Sequence, residues 1–102
     1  MVYQSPGRDT LDLPDNITTS NRGTLVVCED NTLDNYIRGL SPEGDLWDIA
    51  LNRLTSAGGA DRSGDEFAGS TFSHTGQTLF VNIQARNGMT FAIWGPWGRI
   101  GV

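Results

Sequence analysis

One short layout is written twice along this chain, and it restricts the fold more than any single residue does. PDNITTSNRGTLVVCED (Pro14–Asp30) and EFAGSTFSHTGQTLFVNIQ (Glu66–Gln84) follow it in the same order. Each opens on acidic and small residues, runs into a short strand at Thr18 or Thr71, and turns at Gly23 or Gly76. Each resumes with Thr-Leu, as Thr24-Leu25 and Thr78-Leu79. The offset is 53 residues between the strand threonines and 54 between the leucines, which makes Gln77 a one-residue insertion. Several short strands repeated every 40–50 residues or so are what β-propeller blades show in sequence. The fold class expected is all-β and propeller-like, with about two antiparallel up-and-down blades.

Strand patterning fills in the units. Thr24–Glu29 is apolar on both sides: Leu25, Val27 and Glu29 face one way, and Val26, Cys28 and Asp30 the other. Such a strand belongs between two layers. Asn16–Ser20, Tyr36–Leu40 and Asp45–Leu51 complete a first four-stranded unit, with Ser41-Pro42-Glu43-Gly44 as a type I or II turn. The apolar stripe Leu46, Trp47, Ile49, Ala50, Leu51 and Leu54 also suits a helix; strand is preferred. Ser70–Ser73, Thr78–Gln84 and Met89–Trp94 make a second unit that lacks a fourth strand. The organisation expected is an N-terminal extension (1–13), a first blade (14–55), a linker (56–65), a second, incomplete blade (66–97) and a tail (98–102). Trp94-Gly95-Pro96-Trp97 is expected to cover an apolar end of the core.

Charge narrows the partners. The chain has no lysine: seven arginines stand against nine aspartates and three glutamates, for a net charge of −5. Nucleic-acid binding needs a basic surface to release counterions, so the charge argues against that partner, none is expected, and divalent cations fit better. The single cysteine cannot form an internal disulfide. No apolar run approaches the roughly 20 residues of a membrane helix, so no membrane partner is expected. MVYQSPGRDT has neither a basic leader nor an apolar core, so no export signal is read in it.

Read in order, PDN…GTLVVCED, GLSPEGDLWDIALN, and EFAGSTFS..GQTLFVNIQ…GMTFAIWGPW resemble the C-terminal end of the PhoX-type alkaline phosphatases. The resemblance runs from about Leu13 to Trp97. It implies a fragment of a six-bladed propeller, exported to the periplasm or secreted, whose family hydrolyses phosphate esters at a central Ca2+ and Fe3+ cluster. This chain departs from the family in its second turn, His74-Thr75-Gly76, and at Asn31 after Cys-Glu-Asp.

Calcium takes six to eight oxygen ligands, carboxylates supplemented by amide or backbone oxygens. Asp15 and Asn16 open the innermost strand of one unit, Glu29 closes the next strand, and Glu66 stands at the start of the second unit, where Asp15 stands in the first. Metal ligands are therefore expected from Asp15, Asn16, Glu29 and Glu66. The competing structural readings are an Asx turn for Asp15-Asn16, a solvated strand end for Glu29-Asp30 and a loop acid for Glu66. Asp61, Asp65 and Glu66 lack calcium-loop spacing. Cys28 reads as a small buried hydrophobe and His74 as a surface turn residue.

Three functions follow. The first is part of a metal-dependent phosphatase acting on phosphate esters, expected to be inactive by itself and with unknown catalytic residues. The second is a non-catalytic blade assembly or binding module, a homo-oligomer or a partner of the remaining blades of a longer chain. The third is a calcium-dependent lactonase-like hydrolase.

Overall fold

We describe residues 3–102 of the computed structural model; Met1 and Val2, the first residues of the N-terminal extension, lie outside the described residues. The chain is all-β. Strands β1 (Pro14–Thr19), β2 (Leu25–Glu29), β3 (Tyr36–Leu40) and β4 (Leu46–Leu51) form one antiparallel sheet in sequence order. Strands β5 (Glu66–Phe72), β6 (Thr78–Gln84) and β7 (Met89–Trp94) form a second sheet, also in sequence order. A short 3₁₀ turn covers Trp97–Arg99. Among the described residues no helix is long and apolar enough to cross a membrane.

A Ser-x-x-Gly turn recurs four times, at Ser20–Gly23, Ser41–Gly44, Ser56–Gly59 and Ser73–Gly76. In each, the Gly N–H donates to the Ser carbonyl at 2.8–3.0 Å. The Ser hydroxyl accepts from the N–H of Thr24, Asp45, Ala60 and Thr78 respectively, at 3.0–3.2 Å. The four glycines have φ between 72° and 95°, a region that side-chain-bearing residues rarely occupy. Serine supplies the acceptor and glycine the positive φ, so each hairpin closes with its backbone groups paired.

The two sheets stack face to face. Val26, Cys28 and Ile37 of the first meet Phe67, Leu79, Val81 and Ile83 of the second, and all are buried. The Trp47 indole lies over Gly39, where a Cβ would sit only 2.5 Å from the ring. That packing explains why β4 is a strand: Gly39 pairs with Trp47 across the β3–β4 register. The other face of β2 is buried as well, with Val27 lining a groove of about 330 Å3 together with Tyr3, Leu11, Ile17 and Leu40.

Two features differ from the sequence expectation. Strand β5 begins at Glu66, four residues before the expected Ser70. A bulge makes up the difference, as pairing passes from Ala68↔Asn82 to Thr71↔Phe80 with Gly69 at φ 60°. The closing tryptophans also divide. Trp97 covers the core, edge-on to Phe72 with ring centroids 5.7 Å apart, and its Nε1 donates to the Gln77 carbonyl at 2.7 Å. Trp94 instead stands 75% exposed.

Buried asparagines anchor the loops. Asn35 accepts from the Asn31 N–H and donates to its carbonyl. Asn52 donates to the carbonyls of Arg62 and Asp65, at 2.8 Å each, which folds the 56–65 segment back onto the first sheet.

Candidate metal centre

The first strands of the two sheets, β1 and β5, lie against one another. Asn16 makes the link: its Oδ1 accepts from the Ser70 N–H at 2.8 Å and from the Ser70 hydroxyl at 2.7 Å. This juxtaposition carries the acidic starts of both strands to the same region. Asp15 precedes Asn16, Glu66 opens β5, and Asp30 follows β2, which pairs with β1.

Glu66 is the telling member. Its Oε2 is buried and finds no hydrogen-bond partner. Burial pushes its carboxyl above the ordinary value of 4.5, and the facing Asp30 carboxylate and more distant Asp15 charge push it further. Two carboxylates turned towards each other need a shared proton or a cation between them. Asp15 and Asp30 themselves are exposed.

Glu29 occupies a different environment. It is fully buried on the opposite face of β2 from Cys28, and its carboxylate is fully engaged. Oε1 accepts from the Asp12 N–H at 2.9 Å and from Arg38 Nε at 2.8 Å, and Oε2 accepts from the Tyr36 N–H at 3.2 Å. Arg38 also pairs with Asp48 and lies 4.1 Å above the Tyr36 ring. Asn16 and Glu29 are thus occupied by partners within the chain, while Glu66 faces Asp30 and feels the Asp15 charge. Neither Asp30 nor Arg38 is among the ligands expected from sequence. Asp30 was discoverable from strand alternation, which sets it opposite Glu29; nothing in the pattern marks Arg38. Among the described residues, no group of three or more His, Cys, Asp or Glu side chains is placed to hold a metal ion.

The family model described as Alkaline phosphatase PhoX matches residues 2–87. The chain belongs to the PhoX alkaline phosphatase family. No curated protein matches it, and no solved structure does. The PhoX match covers all of the first sheet and both acidic strand starts, so the Asp15–Asp30–Glu66 region lies within it. Carboxylate oxygens are the donor type a hard cation such as calcium takes, and Glu66 and Asp30 supply them here.

Proposed function

We propose that this PhoX-family chain forms part of a metal-dependent phosphatase that hydrolyses phosphate esters, its two sheets standing as adjacent blades of a propeller. Asp15, Asp30 and Glu66 would contribute carboxylates to a calcium and iron centre on the hub side, with further ligands drawn from outside the described residues. The observation that carries this reading is the buried, partnerless Oε2 of Glu66 facing Asp30. Bound there, the metal would polarise phosphoryl oxygens and activate an oxygen nucleophile.

The chain's own residues give that region its shape. Asn16 fixes β1 to β5 through Ser70, which sets the spacing between Asp15 and Glu66. Glu29 holds Arg38 and the Tyr36 N–H, which fixes the end of β2 just before Asp30. Coordination through Asn16 or Glu29 would require release of Ser70 or Arg38. The setting of this reading is periplasmic or secreted, after the family.

Calcium titration by calorimetry tests the proposal, alongside p-nitrophenyl phosphate hydrolysis with calcium and with chelator. Calcium should bind the unaltered chain and lose most of its affinity in Glu66→Gln and in Asp15→Asn. Chelator should abolish whatever hydrolysis is present. Calcium heats that are absent, or unchanged by both substitutions, would overturn it.

A further inference from the structure

Four strands stand at the edges of the two sheets, and three of them are guarded. β1 carries Pro14 and Asp15, with a bulge between its pairs Pro14↔Glu29 and Asn16↔Cys28. β4 carries Asp48 and a bulge at Ile49, where pairing passes from Ile37↔Ala50 to Arg38↔Asp48. β5 carries Glu66 and the bulge after Ala68. Charges, prolines and bulges are the devices that keep a strand edge from pairing with other chains. β7, MTFAIW, has none of them and runs from Thr78↔Trp94 to Ile83↔Met89 without a shift in register. Among the described residues it pairs with β6 alone, which leaves one row of its backbone N–H and C=O groups outside any ladder.

Both sides of that bare edge are apolar. On the inward side, Phe91 and Ile93 line a groove of about 160 Å3 with Phe67 and, from the end of β4 and the segment after it, Ala50, Leu51 and Leu54. An apolar cavity of about 150 Å3 admits benzene, so the groove has room for one large apolar side chain. On the outward side, Ala92 and Trp94 are exposed in the same row.

The place beside β7 is also narrow. β1 stands against β5, and the first sheet has four strands to the second sheet's three, so β4 reaches past β7 by one strand. A second copy pairing through its own β7 about a two-fold axis would bring its first sheet to the same side, where β4 already stands. A single extended segment meets no such obstacle.

We propose that β7 takes a fourth strand from another polypeptide: one extended, uncharged segment, apolar on both faces, that pairs along β7 and sets a side chain into the Phe91–Ile93 groove. Strand addition of this kind draws affinity from the backbone ladder and specificity from pockets for alternate side chains. One occupant then explains the unguarded ladder, the groove on one side of it and the exposed Trp94 on the other. The first sheet supplies the precedent, since β4 fills the corresponding place beside β3. The proposal stands on the strand edges and is independent of the metal reading.

Amide hydrogen exchange read by NMR tests it, with a soluble peptide as the probe: a Val-Thr-Ile-Val-Thr-Val core flanked by two arginines at each end. At ten times its dissociation constant, measured by calorimetry, the peptide should slow exchange of the outward-pointing β7 amides about tenfold. The β1, β4 and β5 edges should be unaffected. A control peptide with prolines at the third and fourth core positions should not bind. Ala92→Lys, on the exposed side, and Ile93→Thr, on the groove side, should each weaken the probe several-fold with an unchanged circular dichroism spectrum. If the Ile93→Thr spectrum collapses, Ala92→Lys alone decides, because its side chain points to water. Absent binding, protection away from β7, equal binding of the control, or affinity unmoved by Ala92→Lys would overturn the proposal. So would a chain that dimerises by itself in light scattering and returns to its 11.1 kDa mass in Ala92→Lys, since β7 would then pair with its own copy.

Discussion

The Oδ1 of Asn16 accepts two hydrogen bonds from Ser70, one from its backbone and one from its hydroxyl, across 54 residues of sequence. One amide oxygen thereby joins the first strands of two sheets that share no backbone ladder.

Asn16→Ala removes that acceptor and strands two part-buried donors on Ser70. Leaving a buried donor unpaired costs about 1–3 kcal/mol. A lower urea midpoint, with an unchanged denaturant slope, is the expected result.

Arg38→Leu should be more damaging. Glu29 is fully buried, and Arg38 is its cationic partner at 2.8 Å. Breaking a buried pair from one side typically costs about 3–5 kcal/mol because the remaining charge is stranded. The double substitution Glu29→Gln with Arg38→Leu should recover part of that loss, measured by urea unfolding of the single and double variants.

Stability should fall as pH rises above about 4.5 because of Glu66. Its carboxyl is raised in the folded chain by burial first, then by Asp30 and Asp15. The folded state therefore holds this proton more tightly than the unfolded chain does. The contribution is complete below the ordinary value of 4.5 and is lost as pH climbs through the raised one. Glu66→Gln should flatten this part of the thermal-melting profile and stabilise the chain at neutral pH. Added calcium should give the unaltered chain the same neutral-pH benefit.

Gly39→Ala should be destabilising by about 1–3 kcal/mol, as overpacking of a filled core usually is. The added methyl would lie 2.5–2.8 Å from Trp47 ring atoms. Combining it with Trp47→Leu should relieve the clash, so the second substitution should cost less in Gly39→Ala than in the unaltered chain; melting temperatures of the four proteins check this.

The strands that carry most of the core were readable because their residues repeat a simple rule. Both faces of β2 are apolar in sequence, and both are buried. Strand β5 was only half readable: Gly69 and the bulge after Ala68 interrupt the alternation that would have extended it back to Glu66. Trp97 and Trp94 look equivalent in sequence, and only the turn at Pro96 sends one inward. At the candidate site, the repeat aligned Asp15 with Glu66, and the packing of β1 on β5 brings them near. Glu29 illustrates what pattern cannot supply. Whether an acid at a strand end meets water, a metal or an arginine depends on Arg38, nine residues further along and on a neighbouring strand. The Ser-x-x-Gly turns were present in sequence four times but, with hydroxyl and glycine roles divided, carry meaning only once the paired N–H groups are known.

Cys28 is sealed between the two stacked sheets, with none of its surface open, and burial pushes its thiol up away from the reactive thiolate. A soluble alkylating reagent can reach the sulfur only during moments when the layers come apart. Its labelling rate under native conditions is thus a built-in clock for that parting, and anything that clamps the layers together should slow it.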